Sequence, residues 1–283
     1  MRISKKSVYF TKGVVFYFVV VIIMAFSLAP FIWQVITSIK PSGEIFTRPV
    51  VYIPSRLDFS AYVKIFIKRP FAIQIINSIG IACISTFICV FVGSLAAYAI
   101  ARFNLLGGEG VLLSVLVISF FPPIVLIVPL YEIIRSAHLT NNWLALIIPY
   151  VTFNLPFTLW VITSFFRQVP HSLEDAAKVD GLSRLGILFR IIMPLSAPAL
   201  ATTAILVFIF CWNEFLLALT FMTKDSSRTI PVGIAMLSGA SYYEIPWDQI
   251  SAATVLTTLP LVIFVVIFKR KIVEGLSAGA IKG

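Results

Sequence analysis

Six stretches without a charged side chain, 13–39, 70–101, 110–131, 139–166, 191–213 and 249–268, constrain this chain more than any other feature. Each can cross a bilayer as a helix, since about 20 residues at ~1.5 Å rise span ~30 Å of hydrocarbon. Backbone groups in lipid must pair internally, and continuous apolar runs suit helices, not the alternating strands of a barrel. The sequence therefore predicts an all-α membrane protein with six transmembrane helices over residues 13–269. Segments 1–12 and 270–283 flank them on one common side. Charged residues make up only 12% of the chain, against about 25% in soluble domains. No polar segment is long enough to bury a core of its own.

Lysine and arginine set the orientation. With the N-terminus in the cytoplasm, inner segments hold 13 of these residues, among them Arg102 and four in 167–194. Outer segments hold nine, six of them between Lys40 and Arg69. That first external segment, 40–70, runs against the rule, but long loops are translocated with less regard to charge. It reads as an extended crossing (Pro41, Pro49, Pro54) followed by a surface helix in DFSAYVKIFIKRP. The net charge of +10 thus reports topology, not affinity for nucleic acid. The first run is longer than the apolar region of a signal peptide and lacks a small-residue cleavage site, so it reads as a retained helix. Cys83, Cys89 and Cys211 lie inside spans and read as small buried hydrophobes.

Between the fourth and fifth runs the chain leaves the membrane over 167–194, as QVPHSLEDAAKVDGLSRLGILFRIIMP. Pro170 stops the preceding helix. Ser172 stands three residues before Asp175, a capping-box spacing, and Glu174 and Asp175 occupy a first turn where the helix dipole favours negative charge. Gly181 ends the helix in a left-handed conformation, and Ser183 caps a second helix that Pro194 closes. This is a short helical hairpin on the membrane surface with no domain of its own to support.

Asp175-Ala176-Ala177, then Asp180-Gly181, then Met193-Pro194, resembles the EAA loop of ABC-importer permeases, with Asp for the family's Glu and Met-Pro for its Leu-Pro. The resemblance runs through KPSGEIF, NSIGIA, AAYAIARF, ILVFIFCWNEFLLAL and the ending GLSAGAIKG, and is closest to the second permease of maltose- and trehalose-type systems. It implies the type I importer permease fold and an ATPase-coupling surface at Glu174, Asp175, Ala176, Ala177, Asp180 and Gly181. It also implies a second ATPase contact in the tail at Gly275, Gly279 and Gly283, where absent Cβ atoms let a partner approach. The implied partners are a sister permease, a dimer of ABC ATPases that bind ATP and magnesium, an extracytoplasmic sugar-binding protein and membrane lipid. The chain itself is expected to hold no cofactor and no metal.

In the fifth run, CWNEF lies about 19 residues beyond Pro194, or ~28 Å along a helix. An acid at that depth normally faces a cavity or a partner. Two roles stay open there. Trp212 could stack on a sugar ring while Asn213 and Glu214, with Asn154 of the fourth run, line a substrate path; or the same side chains rigidify the bundle. Gln74 and Asn77 read as interhelical hydrogen-bonding residues. Prolines 122, 123 and 129 kink the third run or mark its outer half. No GxxxxGK[ST], no Gly-Lys pair and no GxSG element occurs, and the only histidines, His138 and His171, lie in loops. The expected function is a non-catalytic subunit of a di- or oligosaccharide importer in a bacterial or archaeal cytoplasmic membrane. Alternatives are a permease for another solute, an ion-driven transporter using Glu214, or a scaffold without transport.

Overall fold

The structure, a computed structural model, describes residues 5–67, 69–103, 107–119, 122–237 and 245–280, with side chains between 13 and 269. Among them there is no strand. In chain order the helices are α1 (Lys5–Ser38), α2 (Ser60–Ile67), α3 (Phe71–Arg102), α4 (Gly108–Ser119), α5 (Ile127–Ser136) and α6 (Leu144–Phe166). There follow α7 (His171–Val179), α8 (Arg184–Ile187), a π turn over Leu188–Ile192, α9 (Met193–Leu195), α10 (Ala197–Asn213), α11 (Leu216–Phe221), α12 (Ile230–Ala235) and α13 (Trp247–Ala280).

Four helices are unbroken spans: Gly13–Ser38, Phe71–Arg102, Leu144–Phe166 and Trp247–Lys269. The third and fifth apolar runs are not single helices. Gly108–Ser119 and Pro123–Ser136 form one bent pair, and Arg184–Leu195 and Ala197–Asn213 another, each bent by 81°. Counted as one span each, the bent pairs bring the spans to six. Backbone chemistry explains both breaks. Pro122 and Pro123 offer no N–H to a continuing ladder, and a short 3₁₀ turn, Pro123–Leu126, fills the corner. In the fifth run the π turn precedes Pro194, and Ser196 leaves the helical region at φ −93°, ψ 11°. A hydropathy profile does not mark such a corner, because the residues just before and just after it stay largely apolar.

The chain divides into two compact units, one of Met1–Arg69 with Ile234–Leu259 and one of Pro70–Gly233 with Pro260–Gly283. In the first, the expected extended crossing is instead a 3₁₀ turn over Ser42–Glu44 followed by turns and bends, and then α2. Lys40 is buried, donates to the Val51 carbonyl and lies 4.9 Å above the Trp33 ring. Asp248 accepts from Ser42 at 3.0 Å and faces Lys64 at 3.9 Å.

In the second unit α3, α6 and α10 pack together around two apolar clusters. One contains Ile81, Cys89, Leu146, Tyr150, Val207, Phe221 and Met222. The other holds Ala97, Tyr98, Leu159, Ile162, Phe166, Ala177, Ile187 and Ile192. Cys89 and Cys211 are packed as expected, whereas Cys83 lies on an exposed flank of α3.

Candidate functional site

α7 begins at His171, with Pro170 in the capping position at φ −60°, ψ 135° and no side-chain cap. Ser172 is therefore inside the first turn and caps nothing, contrary to the capping-box expectation. Proline's fixed φ sets the entry angle, and its missing N–H costs nothing there. The other end follows the sequence. Gly181 has φ +81°, a region that strains residues with a Cβ, and the space around it is open, so backbone conformation alone demands glycine. Leu182 N–H donates to the Ala177 carbonyl and Gly181 N–H to the Lys178 carbonyl, both at 3.0 Å. These two bonds form a Schellman closure. Ser183 then caps α8, its hydroxyl accepting from Gly186 N–H at 3.2 Å.

The nine residues of α7 divide by side. Glu174 and Ala177 point inward and are buried, Ala177 within the second apolar cluster. His171, Ser172, Leu173, Asp175, Ala176, Lys178 and Val179 are exposed, Val179 at 88%, as is Asp180 just past the helix. This corrects the expected coupling surface: Glu174 and Ala177 hold the helix to its own chain and are not available to a partner.

The anchor for Glu174 is Arg102, the last residue of α3. Their ion pair is nearly sealed, with side-chain exposures of 3% and 4%. The same guanidinium donates to the Val169 carbonyl at 2.8 Å and reaches His171 Nε2 at 3.3 Å. Beside it Arg184 lies 4.7 Å over the ring of Phe103. On the exposed side Lys178 Nζ meets Asp175 at 2.9 Å. That hydrogen bond, with the attraction between the charges, holds the Asp175 carboxyl below its ordinary range and the Lys178 ammonium above its own. Sequence reading counted Arg102 only as a topology charge. The usable signal was its position, a lone cation closing a 32-residue run without charge.

At the opposite end of α3 the polar residues bind loop backbone. Asn77 donates to the carbonyls of Ser226 at 2.9 Å and Arg228 at 3.0 Å, and accepts from Trp143 Nε1 at 3.0 Å. Gln74 donates to the Asp225 carbonyl at 3.2 Å, and Ser78 accepts from Ile230 N–H at 2.8 Å. These residues therefore hold the 225–230 segment, and through Trp143 and Ile230 they also reach the starts of α6 and α12. Two glycines allow the approach. A Cβ at Gly80 would stand 2.4 Å from the Trp143 ring, and one at Gly233 would stand 2.0 Å from Gln74 Oε1.

Residues 89–277 match the family of binding-protein-dependent transport system inner membrane components, a stretch that takes in both α7 and the 223–230 segment. The chain belongs to this family. Curated relatives align over nearly their whole length. The trehalose transport system permease protein of Mycobacterium tuberculosis is 42% identical, with 93% of this chain and 95% of the relative covered. The trehalose/maltose transport system permease protein of Thermococcus litoralis is 43% identical, covering 90% and 92%. The sulfoquinovosyl glycerol transport system permease protein of Agrobacterium fabrum is 40% identical, covering 93% and 91%. In architecture the chain is similar to a subunit in the crystal structure of a bacterial ABC transporter involved in alginate import. The TM-score is 0.80 at 20% identity, with 95% and 99% of the two chains covered.

Of the residues expected along a substrate path in this permease, Trp212 and Asn154 are buried, Glu214 is half-buried and Asn213 is exposed. Trp212 is 4% exposed and stacks on Phe208, centroids 5.7 Å apart. Asn154 is buried and donates to the Tyr150 carbonyl of its own helix at 2.8 Å. Glu214 ends α10 and serves the start of α11, accepting from Leu217 N–H at 2.8 Å, Ala218 N–H at 3.1 Å and the Tyr150 hydroxyl at 2.7 Å. Glu214 thus caps the start of α11, and Trp212 and Asn154 are packed within the bundle. Asn213 alone is exposed, its amide donating to the Ile209 carbonyl at 2.7 Å. In the tail, Gly275 and Gly279 continue α13 as helix, and Gly283 lies outside the described residues.

Proposed function

We propose that this permease is one of two membrane subunits of an ATP-driven importer for a di- or oligosaccharide. Its relatives named for trehalose and for trehalose/maltose transport, similar over nine-tenths of the chain, support the sugar. In this reading a sister permease completes the translocation path, two ABC ATPases bind ATP and magnesium, and an extracytoplasmic binding protein delivers the sugar. The chain itself carries out no catalysis and holds no cofactor. Both termini and the 167–194 loop face the cytoplasm.

The observation that carries the reading is the outward face of α7. A helix of nine residues is too short to be stable alone. Here it is entered through Pro170, closed at Gly181, anchored by Glu174 and Ala177, and still presents Leu173, Ala176 and Val179 to the outside. Such a helix fits a cleft in another subunit. ATP closing the ATPase dimer would push on it and switch the permeases between inward- and outward-facing states. Asp175, Ala176, Asp180 and the Gly181 turn form that surface, with Gly275, Gly279 and Gly283 as a second contact. Asn213 is the remaining candidate for the sugar path. Because Glu214 is spent on a helix cap, the ion-driven alternative loses its acid.

Gly181→Val tests the coupling surface. It strains the turn and re-aims α7, while the spans that drive insertion are untouched. Uptake is expected to vanish, with the ATPase subunits lost from the purified complex or no longer stimulated by sugar; Asp175→Lys should do the same through its charge. Near-normal uptake in both would refute the assignment. For orientation, single cysteines at Ser172 and Ser226 in a background without native cysteines should label from opposite sides of the membrane.

A further inference from the structure

α3 is held firmly at both ends and unbroken between them. At one end Arg102 joins it to α7 through Glu174, His171 and the Val169 carbonyl. At the other, Gln74, Asn77 and Ser78 join it to the backbone of 225–230. No proline interrupts it, whereas α1, α6 and α13 each contain at least one. Its 32 residues form a rod about 48 Å long at ~1.5 Å per residue.

We infer that Arg102 is a positioning residue for coupling: it makes α7 and α3 one body, so a displacement of α7 is delivered to the 223–230 segment at the far end. This rests on the reading of α7 as the surface that the ATPases move. The chemistry of arginine fits the task. Its planar fork serves three acceptors in different directions at once, which a lysine ammonium on a flexible stem cannot reproduce. Burial keeps the pair from being screened by solvent and salt. Without Arg102, α7 keeps its Gly181 closure and its Ala177 contact but loses the links that fix its tilt. A push would then be absorbed at the joint and never reach α3. At the far end Gln74, Asn77 and Ser78 bond main-chain carbonyls and an N–H, so the joint engages the backbone of the segment itself.

The test uses the complete complex with its ATPases and binding protein. Spin labels at Ser172 and Ser226, in a background lacking Cys83, Cys89 and Cys211, report the distance between the two ends of the rod. Uptake and ATP hydrolysis are measured on the unlabelled complex. The native chain should give one narrow distance that ATP does not change. In Arg102→Ala the distribution should broaden and shift on ATP addition, and sugar taken up per ATP should fall about ten-fold or more. Arg102→Lys and Glu174→Gln should fall between, and they serve if the alanine variant fails to assemble. A native distance that ATP changes would overturn the inference. So would native distance and native uptake per ATP in Arg102→Lys and Glu174→Gln together. Asp175→Lys, run in parallel, separates the two levels. If it uncouples while the Arg102 and Glu174 variants do not, the α7 surface stands and the rod falls. If it too couples normally, the α7 surface itself is wrong.

Discussion

The two ends of α3 solve the same problem with opposite chemistry. At Arg102 a fixed charge is buried against Glu174, and the joint is strong only while both partners are present. At Asn77 the joint is made of neutral hydrogen bonds to main-chain carbonyls of the exposed 223–228 stretch, packed against Gly80 and Trp143. The first kind of joint is all-or-none, because an unpaired buried charge has no substitute partner. The second degrades gradually, because it is shared among several neutral bonds and losing one strands no charge. The difference shows that polar residues in one apolar helix need not share a role.

The largest expected effect comes from splitting the charged pair. Arg102→Met leaves Glu174 buried without its cation and should cost about 3–5 kcal/mol of stability, read as the melting temperature of the purified complex. Arg102→Met with Glu174→Met removes both charges and should regain most of that loss without restoring coupling. Equal stability of the single and double variants would show that the joint is not a buried ion pair in energetic terms. Next comes Gly80→Ala, whose Cβ would meet the Trp143 ring at 2.4 Å. Displacing that indole should cost about 1–3 kcal/mol and quench or shift Trp143 fluorescence. Asn77→Ser keeps a polar group but cannot span its three partners, and about 1 kcal/mol should be lost. A cost as large as that of Arg102→Met would erase the contrast between the ends.

The smallest effect belongs to Lys178→Met. The folded Asp175 carboxyl is lowered and the folded Lys178 ammonium raised by their mutual bond. The carboxyl contribution is present above the unfolded value of about 4 and fades as pH falls through the folded one. The ammonium contribution is present below about 10.4 and fades as pH rises through its folded value. Both groups are solvent-exposed, so the native and Lys178→Met melting curves should superimpose from about pH 5 to about pH 9. A separation there would mean that the α7 surface is more enclosed than the structure has it.

Much of the fold was legible because lipid imposes one requirement everywhere. A backbone that must satisfy itself makes each long apolar run a helix, and Gly181 and Ser183 mark their turns by local chemistry. The corner in the third run was signalled by Pro122 and Pro123 but its 81° was not, and the sequence marks the one at Ser196 only as the close of the loop at Pro194. At the candidate site the acidic and alanine positions were found but not their sides. Which face of α7 turns inward depends on where the end of α3 lies, about 70 residues earlier in the chain, and no local pattern carries that. Which role Glu214 plays was open for a related reason. An acid at depth suggests a path or a partner, while its acceptors were needed where α10 stops and α11 begins.

The division of α7 into an inward pair and an outward set has a genetic consequence. A defect introduced at Glu174 or Ala177 is a quarrel within one chain, so second-site suppressors should arise in this same gene, near Arg102, Tyr98 or Ile187. A defect at Asp175, Ala176 or Val179 concerns a surface that this chain does not complete. Under the proposed coupling its suppressors should arise in the gene for the ATPase. Two residues a single helical step apart would then map to two different genes.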